Sequence, residues 1–243
     1  MFSIYKKELQ SFFFTPFAYV VSALFLFMFT FVFNGGLGNL DQATYFFSFP
    51  NVFYNVIIMF IFLIPILTMR TFADERKFGT EVLLMTSPIN VVQIIIGKYL
   101  ANITVFIFML AGSLFFPIYA SIKGDVVESQ LICAYLGFFL WGAMYIAIGQ
   151  LVSSFTENSI IAAILGEIVM FVFLFVDDFA MTEFIAQYPG LQSALYSFAA
   201  QPRFAYFSQG FIRLSDIVFF LSAIIVCLVW NYISIEKRRW NRG

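Results

Sequence analysis

Side chains able to carry out chemistry are few in this sequence, and several of them lie in one charged segment. Asp74, Glu75, Arg76 and Lys77 follow one another in a chain of 243 residues that is 11% charged and 62% hydrophobic. The sequence contains no histidine, which removes the commonest general base and the commonest protein ligand of zinc. Histidine-dependent hydrolytic triads and zinc peptidase sites are therefore excluded.

Glu167 falls near the middle of a long apolar run. An ionisable group at that depth costs roughly a few kcal/mol to insert into a bilayer, so it should face protein, a cavity or a partner. Two interpretations stay open: a residue of a transport pathway, or a protonated carboxyl hydrogen-bonded to a neighbouring helix. One carboxyl without a second catalytic group is not enough for an active site. The sequence therefore predicts neither an enzyme nor a cofactor.

The composition indicates which solvent surrounds these groups. A mean hydropathy of +0.92 lies far outside the range of soluble proteins. With 13 basic and 14 acidic residues, the formal charge is −1, which argues against nucleic acid as a partner. The sequence predicts an all-α, polytopic protein whose partner is the lipid bilayer.

Six apolar runs have the length needed to cross a hydrocarbon core of about 30 Å. The predicted spans lie near residues 17–36, 52–69, 98–120, 131–152, 160–176 and 216–235. Residues 1–16 precede them, and there Phe2, Tyr5, Leu9 and Phe12 recur at helical spacing. This pattern predicts an amphipathic helix that lies along the membrane surface.

Lysine and arginine are distributed unevenly among the predicted loops. With the N-terminus inside, ten of the thirteen basic residues lie on the cytoplasmic side, as the positive-inside rule requires. Those ten residues are Lys6, Lys7, Arg70, Arg76, Lys77, Lys98, Lys237, Arg238, Arg239 and Arg242. Both termini are therefore predicted to be cytoplasmic, and the stem of Lys98 is expected to snorkel to the inner interface.

The charged segment, residues 70–88, is predicted to be one amphipathic helix on the cytoplasmic surface. Phe78, Val82 and Met85 form an apolar stripe along it, and Ser87-Pro88 ends it. Residues 153–159 lie on the same side and form a smaller contact element. Its predicted contact residues are Thr156, Glu157 and Asn158.

The longest predicted outer loop spans residues 177–215. Its apolar residues recur at helix-like intervals, interrupted by Pro189-Gly190 and by Pro202. The pattern predicts two short amphipathic helices on the outer leaflet. Whether they cap an exit path or only pack at the interface stays open.

Residues 67–101, LTMRTFADERKFGTEVLLMTSPINVVQIIIGKYLA, resemble the cytoplasmic segment of type-2 ABC transporter permeases. Within these permeases the sequence is most similar to the gliding-motility and copper-enzyme-maturation branch. KKELQSFFFTPFAY near the N-terminus and PRFAYFSQGFIRLSDIVFF at residues 202–220 carry the resemblance to both ends of the chain.

The resemblance implies one transmembrane domain over residues 1–243 in a bacterial cytoplasmic membrane. It implies a homodimer or heterodimer of such subunits, each bound to a cytoplasmic ABC ATPase subunit, and in some relatives an accessory membrane or extracytoplasmic protein. Residues 70–88 would be the coupling helix. Its contact residues would be Asp74, Glu75, Arg76, Lys77, Phe78, Gly79, Thr80 and Glu81.

ATP hydrolysis itself needs a phosphate-binding loop, and no G-x-x-x-x-G-K-[ST] motif occurs in the sequence. The ATPase site is therefore expected in a partner chain, with this subunit coupling hydrolysis to export or to mechanical transmission. The alternative is a secondary transporter or a vitamin-uptake membrane component. That class predicts an inverted repeat, and none is visible between residues 1–120 and 121–243.

Overall fold

The computed structural model describes residues 1–38, 49–81, 83, 89–123 and 127–241, and none of these lies in a strand. The prediction of an all-α protein is confirmed for this part of the chain. The helices are α1 (Phe2–Phe14), α2 (Phe17–Gly38), α3 (Phe49–Thr68), α4 (Arg70–Lys77), α5 (Val91–Ser113), α6 (Phe115–Lys123), α7 (Glu128–Phe155), α8 (Ser159–Leu174), α9 (Val176–Ala180), α10 (Glu183–Ala186), α11 (Pro189–Phe198), α12 (Gln201–Ser208) and α13 (Leu214–Asn241).

Several of these helices have the length and composition of membrane spans, which makes this a multi-pass membrane protein. Within the described ranges, five segments qualify: Phe17–Gly35, Val52–Lys77, Val91–Ile122, Glu128–Phe155 and Leu214–Arg238. Five of the six predicted spans coincide with them. The remaining one, near residues 160–176, corresponds to α8, which is apolar but has only 16 residues, so a sixth span stays a prediction.

Helix α7 lies at the centre of the bundle and packs against α3, α5, α8, α12 and α13. Trp141 and Tyr145 on α7 are fully buried. Two glycines allow its neighbours to approach closely. A Cβ atom on Gly142 would lie 2.3 Å from the ring of Phe106, and one on Gly149 would lie 2.2 Å from Oγ1 of Thr68.

Helix α1 packs along α5 through the face that carries Ile4, which lies against Gly97. Ile4 and Phe12 are buried, whereas Phe2 is 74% exposed. Tyr5 lies at the edge of the contact, where its hydroxyl is 3.0 Å from Oγ1 of Thr104. Of the apolar residues that the sequence placed on one face, Phe12 thus packs inside the protein and Phe2 stays exposed, and the position of α1 along the membrane surface stays a prediction.

The predicted single helix over residues 70–88 is interrupted. Helix α4 ends at Lys77, and Gly79 follows with φ +71°. This left-handed conformation is open to glycine and strained for residues with a side chain, and it commonly ends a helix. The rest of that prediction depended on Val82, Met85 and Ser87-Pro88. These residues lie outside the part of the chain that the structure describes.

Between α8 and α13, the structure places four short helices, α9 to α12, where the sequence suggested two. Phe204 and Phe207 on α12 are fully buried, and the Phe204 ring contacts Trp141 edge-on with centroids 5.7 Å apart. Helix α12 is therefore part of the packed bundle and not only a surface helix.

Candidate functional site

The candidate site is α4 and the segments that hold it. Helix α4 follows α3 after a single residue, Met69, and Met69 supplies no side-chain cap. Ser153 at the end of α7 takes that role: its Oγ accepts hydrogen bonds from the backbone N–H groups of Phe72 at 3.1 Å and Ala73 at 3.2 Å. The same hydroxyl donates to the Met69 carbonyl oxygen at 2.9 Å. Since the first N–H groups of a helix lack intrahelical partners, Ser153 fixes the start of α4 to α7.

A buried lysine joins α4 to α1 and α5. Lys98 on α5 is 2% exposed, and its Nζ lies 2.9 Å from Oε1 of Glu8 and 2.9 Å from Oε1 of Glu75. It also donates to the Thr71 carbonyl oxygen at 2.8 Å. The ammonium group therefore donates two hydrogen bonds, to Glu8 and to Thr71, and forms an ion pair with Glu75. The expectation that Lys98 would reach the interface is wrong, because two carboxylates compensate its charge inside the protein.

Further polar groups surround this lysine. Asn102 on α5 is fully buried and donates to Oγ1 of Thr71 at 3.1 Å, and Nζ of Lys7 lies 3.6 Å from Oε1 of Glu75. A cavity of ≈ 190 Å³ opens beside the cluster. The charged residues that line it are Lys7, Glu8, Arg70, Asp74, Glu75 and Lys98. Three are cationic and three are anionic, so the cavity has no net charge with which to select an ion, and its groups serve to hold α1, α4 and α5 together.

Arg76 ties α4 to residues 153–159. Its Nη1 donates to the Ser154 carbonyl oxygen at 3.1 Å, and its Nη2 donates to Oε1 of Glu157 at 2.8 Å. Two residues further along the segment, the hydroxyl of Ser159 donates to Oδ1 of Asp74. The two elements predicted separately as partner contacts, residues 70–81 and 156–158, therefore contact each other.

The remaining residues of the smaller element shape the start of α8. Oδ1 of Asn158 accepts from the backbone N–H of Ile160 at 2.9 Å, which makes Asn158 the N-cap of α8. Oγ1 of Thr156 accepts from the backbone N–H of Asn158 at 3.1 Å. Such side-chain caps stabilise a helix start by about 1 kcal/mol. Thr156 and Asn158 thus position Glu157 beside Arg76.

Glu81 extends the network to the end of α13. Its two carboxylate oxygens lie 3.9 Å from Nε of Arg76 and 3.7 Å from Nη1 of Arg238. Glu81 is buried, so neither pair is a freely solvated surface contact. Five segments consequently meet around α4: the ends of α7 and α13, the starts of α5 and α8, and α1. We call this region the α4 end.

Four consecutive residues of the site project from this network. Lys77, Phe78, Gly79 and Thr80 are exposed, and the Phe78 side chain is 71% exposed. Nζ of Lys77 lies 5.7 Å from the centre of the Phe78 ring. We call residues 77–80 the exposed turn. Of the eight predicted contact residues, the other four, Asp74, Glu75, Arg76 and Glu81, have ionic or hydrogen-bonding partners inside the chain.

Glu167 stands apart from this network. It is half-buried near the middle of α8, and in the described part of the chain no hydrogen-bond or ion-pair partner meets it. Its neighbours Ile164, Ile168 and Phe171 are exposed apolar side chains. The structure therefore places Glu167 on a mostly apolar helix face and not in the α4 network.

Sequence reasoning missed four residues that hold α4: Glu8, Asn102, Ser153 and Ser154. A signal existed for Glu8, because it lies four residues after Ile4 and four before Phe12, which puts a carboxylate on the apolar stripe of α1. Asn102 sits in an apolar run, where no spacing distinguishes a buried hydrogen-bonding residue from a tolerated one. The two serines belong to residues 153–159, which the sequence identified as a contact element without indicating that they would bind α4.

One comparison with known proteins bears on this arrangement. A family profile described as ABC-2 family transporter protein matches residues 38–235. This range covers most of the chain and includes α4, the exposed turn and residues 153–159. A search of curated proteins gave no match.

Proposed function

Because this chain belongs to the ABC-2 family of transporter proteins, we propose that it is the membrane-spanning permease subunit of an ABC transporter, and that a separate ATPase subunit binds its exposed turn. Members of this family are membrane components, so the ATPase subunit is a second chain. The observation that carries the proposal is the contrast between the internally paired charges of α4 and the exposed Phe78 that follows it. An exposed aromatic residue beside a cation is the kind of group that anchors a protein interface.

The internal charges have a mechanical role in this proposal. A partner that pushes on the exposed turn can do work on the membrane helices only if α4 does not yield. Lys98, Arg76 and Ser153 each link α4 to another helix, and two of these residues are buried. A force applied at Phe78 is therefore carried into the bundle.

Two helices receive that force most directly. Helix α3 is joined to α4 through Met69, and α8 is held by the contact of Ser159 with Asp74. The same two helices approach each other closely further along, where a Cβ atom on Gly166 would lie 3.3 Å from Cβ of Pro65. We propose that α3 and α8 move together as the relay, with Pro65, inside α3, as the place where that helix bends.

The finer features of the subunit follow from the sequence and are part of the proposal. The chain has six spans in the bacterial cytoplasmic membrane, with α8 as the fifth, and both termini and the exposed turn are cytoplasmic. Two permease subunits, identical or different, assemble with two ATPases, and an accessory protein joins some assemblies. The transporter exports a substrate or transmits force, and Glu167 lies on its pathway.

The contact is tested by photocrosslinking in cells. A photoreactive phenylalanine analogue replaces Phe78 in the full chain, and the captured proteins are identified by mass spectrometry. We expect the main product to be a protein that contains a G-x-x-x-x-G-K-[ST] motif, since such a loop binds the phosphates of ATP.

The matched control places the same analogue at Phe184 on α10, which is 72% exposed but lies at the opposite end of the bundle. No phosphate-loop protein should be captured there. Capture of the ATPase at both positions, or at neither, would contradict the proposed contact.

A further inference from the structure

A groove at the α4 end, separate from the cavity beside Lys98, is lined by cationic and apolar side chains, and the proposed function assigns the groove no role. It has a volume of ≈ 390 Å³ and opens where α13 passes the ends of α4 and α7. Arg76 from α4 and Lys237 and Arg238 from α13 line it, and among the described lining residues none is acidic. Glu157 and Glu81 pair with the two arginines but do not line the groove. The groove therefore presents cations to an incoming group.

One part of the groove wall is apolar. Phe155, Trp230 and Ile233 line it, and all three are exposed. An indole ring beside a row of cations is typical of the boundary between hydrocarbon and headgroups. The groove thus offers an apolar surface next to a cationic one.

The order of these residues along α13 gives the groove a direction. Trp230, Ile233, Ser234 and Lys237 have the spacing i, i+3, i+4, i+7, so they form one stripe of the helix. The stripe changes from apolar to hydroxyl to cationic over about 10 Å, at 1.5 Å per residue. The apolar run of α13 ends at Ile235, just before Glu236 and Lys237, so the cationic end of the stripe lies at the depth of the lipid headgroups.

We propose that this groove binds one anionic phospholipid. Its phosphate contacts the guanidinium and ammonium groups of Arg76, Lys237 and Arg238, and an acyl chain lies along Trp230 and Ile233. Basic pockets between membrane helices are suited to such headgroups, and guanidinium groups bind phosphate oxygens in pairs. A free phosphate ion shares the first contact but not the second, because it has no apolar part to cover the exposed rings.

A bound lipid would connect two elements that otherwise meet mainly through Glu81. Arg76 belongs to α4 and Lys237 to α13, so one phosphate between them adds a contact from the end of α13 to the helix that carries the exposed turn. The lipid content of the membrane would then influence how firmly α4 is held. Binding itself does not depend on an ATPase partner.

The test is native mass spectrometry of the purified full chain, released from vesicles that contain phosphatidylglycerol and phosphatidylcholine with the same acyl chains. We expect the chain to retain one phosphatidylglycerol in preference to phosphatidylcholine. Lys237→Glu should weaken this retention about tenfold, because it replaces an attractive charge by a repulsive one near the headgroup. Lys6→Glu, the same charge change on the exposed side of α1, should change retention less than about twofold.

A second variant separates the groove from general surface charge. Ser234→Leu adds volume to the wall of the groove without changing the charge, and it should also reduce retention of phosphatidylglycerol. Circular dichroism and size-exclusion chromatography establish that Lys237→Glu and Ser234→Leu are folded.

Three results would overturn the proposal. The first is equal retention of both lipids by the parent protein, and the second is an equal loss in Lys6→Glu and Lys237→Glu. The third is complete displacement of phosphatidylglycerol by millimolar inorganic phosphate, which would assign the groove to a free anion.

Discussion

The two ends of the helix bundle are held together by different kinds of contact. At the α4 end, Lys98 lies between the carboxylates of Glu8 and Glu75, and three separate helices supply these residues. At the opposite end, Nη1 of Arg203 on α12 lies 3.2 Å from Oδ1 of Asp216 on α13. The first arrangement fixes three helices to each other, whereas the second links two that are neighbours in the chain.

Aromatic side chains also hold the helices together at the opposite end. The buried rings of Trp141, Phe204, Phe207 and Phe220 contact one another, and the Arg203 guanidinium lies 4.1 Å from the centre of the Phe219 ring. Ring contacts fill space but tolerate small displacements, while hydrogen bonds to a buried charge require a fixed geometry. This chain therefore uses directional contacts at the α4 end, where we propose that a force enters.

The largest expected effect tests that difference directly. Lys98→Met leaves the Glu8 and Glu75 carboxylates without their buried cation, which should lower the free energy of unfolding by about 3–5 kcal/mol. Denaturant unfolding of the purified chain in detergent measures it. Arg203→Met should cost less, about 1–2 kcal/mol, because it leaves one carboxylate, Asp216, which lies in the first turn of α13, where a helix N-terminus favours a negative charge.

Rescue distinguishes the lost charge from the lost volume. Adding Glu8→Gln and Glu75→Gln to Lys98→Met should recover part of the stability, because the buried charges are then gone. If Arg203→Met proved as costly as Lys98→Met, or if the triple variant were no more stable than the single one, the contrast between the two ends would be broken.

A smaller effect is expected from the serine that caps α4. Ser153→Ala leaves the N–H groups of Phe72 and Ala73 without their acceptor and should cost about 1–3 kcal/mol. Hydrogen exchange followed by mass spectrometry should show faster exchange of these two amides. Ser208→Ala at the opposite end is the matched control, since the Ser208 hydroxyl bonds only within its own helix, to the Ala205 carbonyl oxygen. Equal effects of the two substitutions on exchange in α4 would argue against capping by Ser153.

The smallest effect on stability, and the sharpest on function, is expected at the exposed turn. Phe78→Ser removes an exposed ring, so the free energy of unfolding should change by less than about 0.5 kcal/mol. Recovery of the ATPase with the affinity-tagged permease should nevertheless fall at least about tenfold, the loss expected of an interface anchor. Phe184→Ser should leave both quantities unchanged. Normal recovery of the ATPase with Phe78→Ser would show that the partner binds elsewhere.

Local sequence patterns predicted the elements of this fold but not their pairing. The apolar runs identified the positions of α2, α3, α5, α7 and α13, because a helix that crosses a bilayer must be apolar over most of its length. The charged composition of residues 70–77 likewise identified α4. These properties belong to single segments, so one sequence is enough to find them.

The partners of the charged residues could not be predicted from such local patterns. Lys98 and Glu8 are 90 residues apart, and Arg76 and Glu157 are 81 apart, so no helical periodicity relates them. The resemblance to ABC permeases assigned Glu75 and Arg76 to the contact with a partner protein. The fold supplies compensating groups for both side chains inside the chain, and we therefore propose the exposed turn as the contact surface.

The close approaches at Gly142 and Gly149 restrict how the bundle can move. If α7 turned about its own axis by one residue, about 100°, a side chain would occupy the space beside Phe106 or Thr68 that each glycine leaves open. Both glycines lie on one side of the helix, two turns apart, so a second steric stop acts with the first. We therefore expect a conformational change that reaches from one membrane surface to the other to tilt α7 and to leave its rotational setting unchanged.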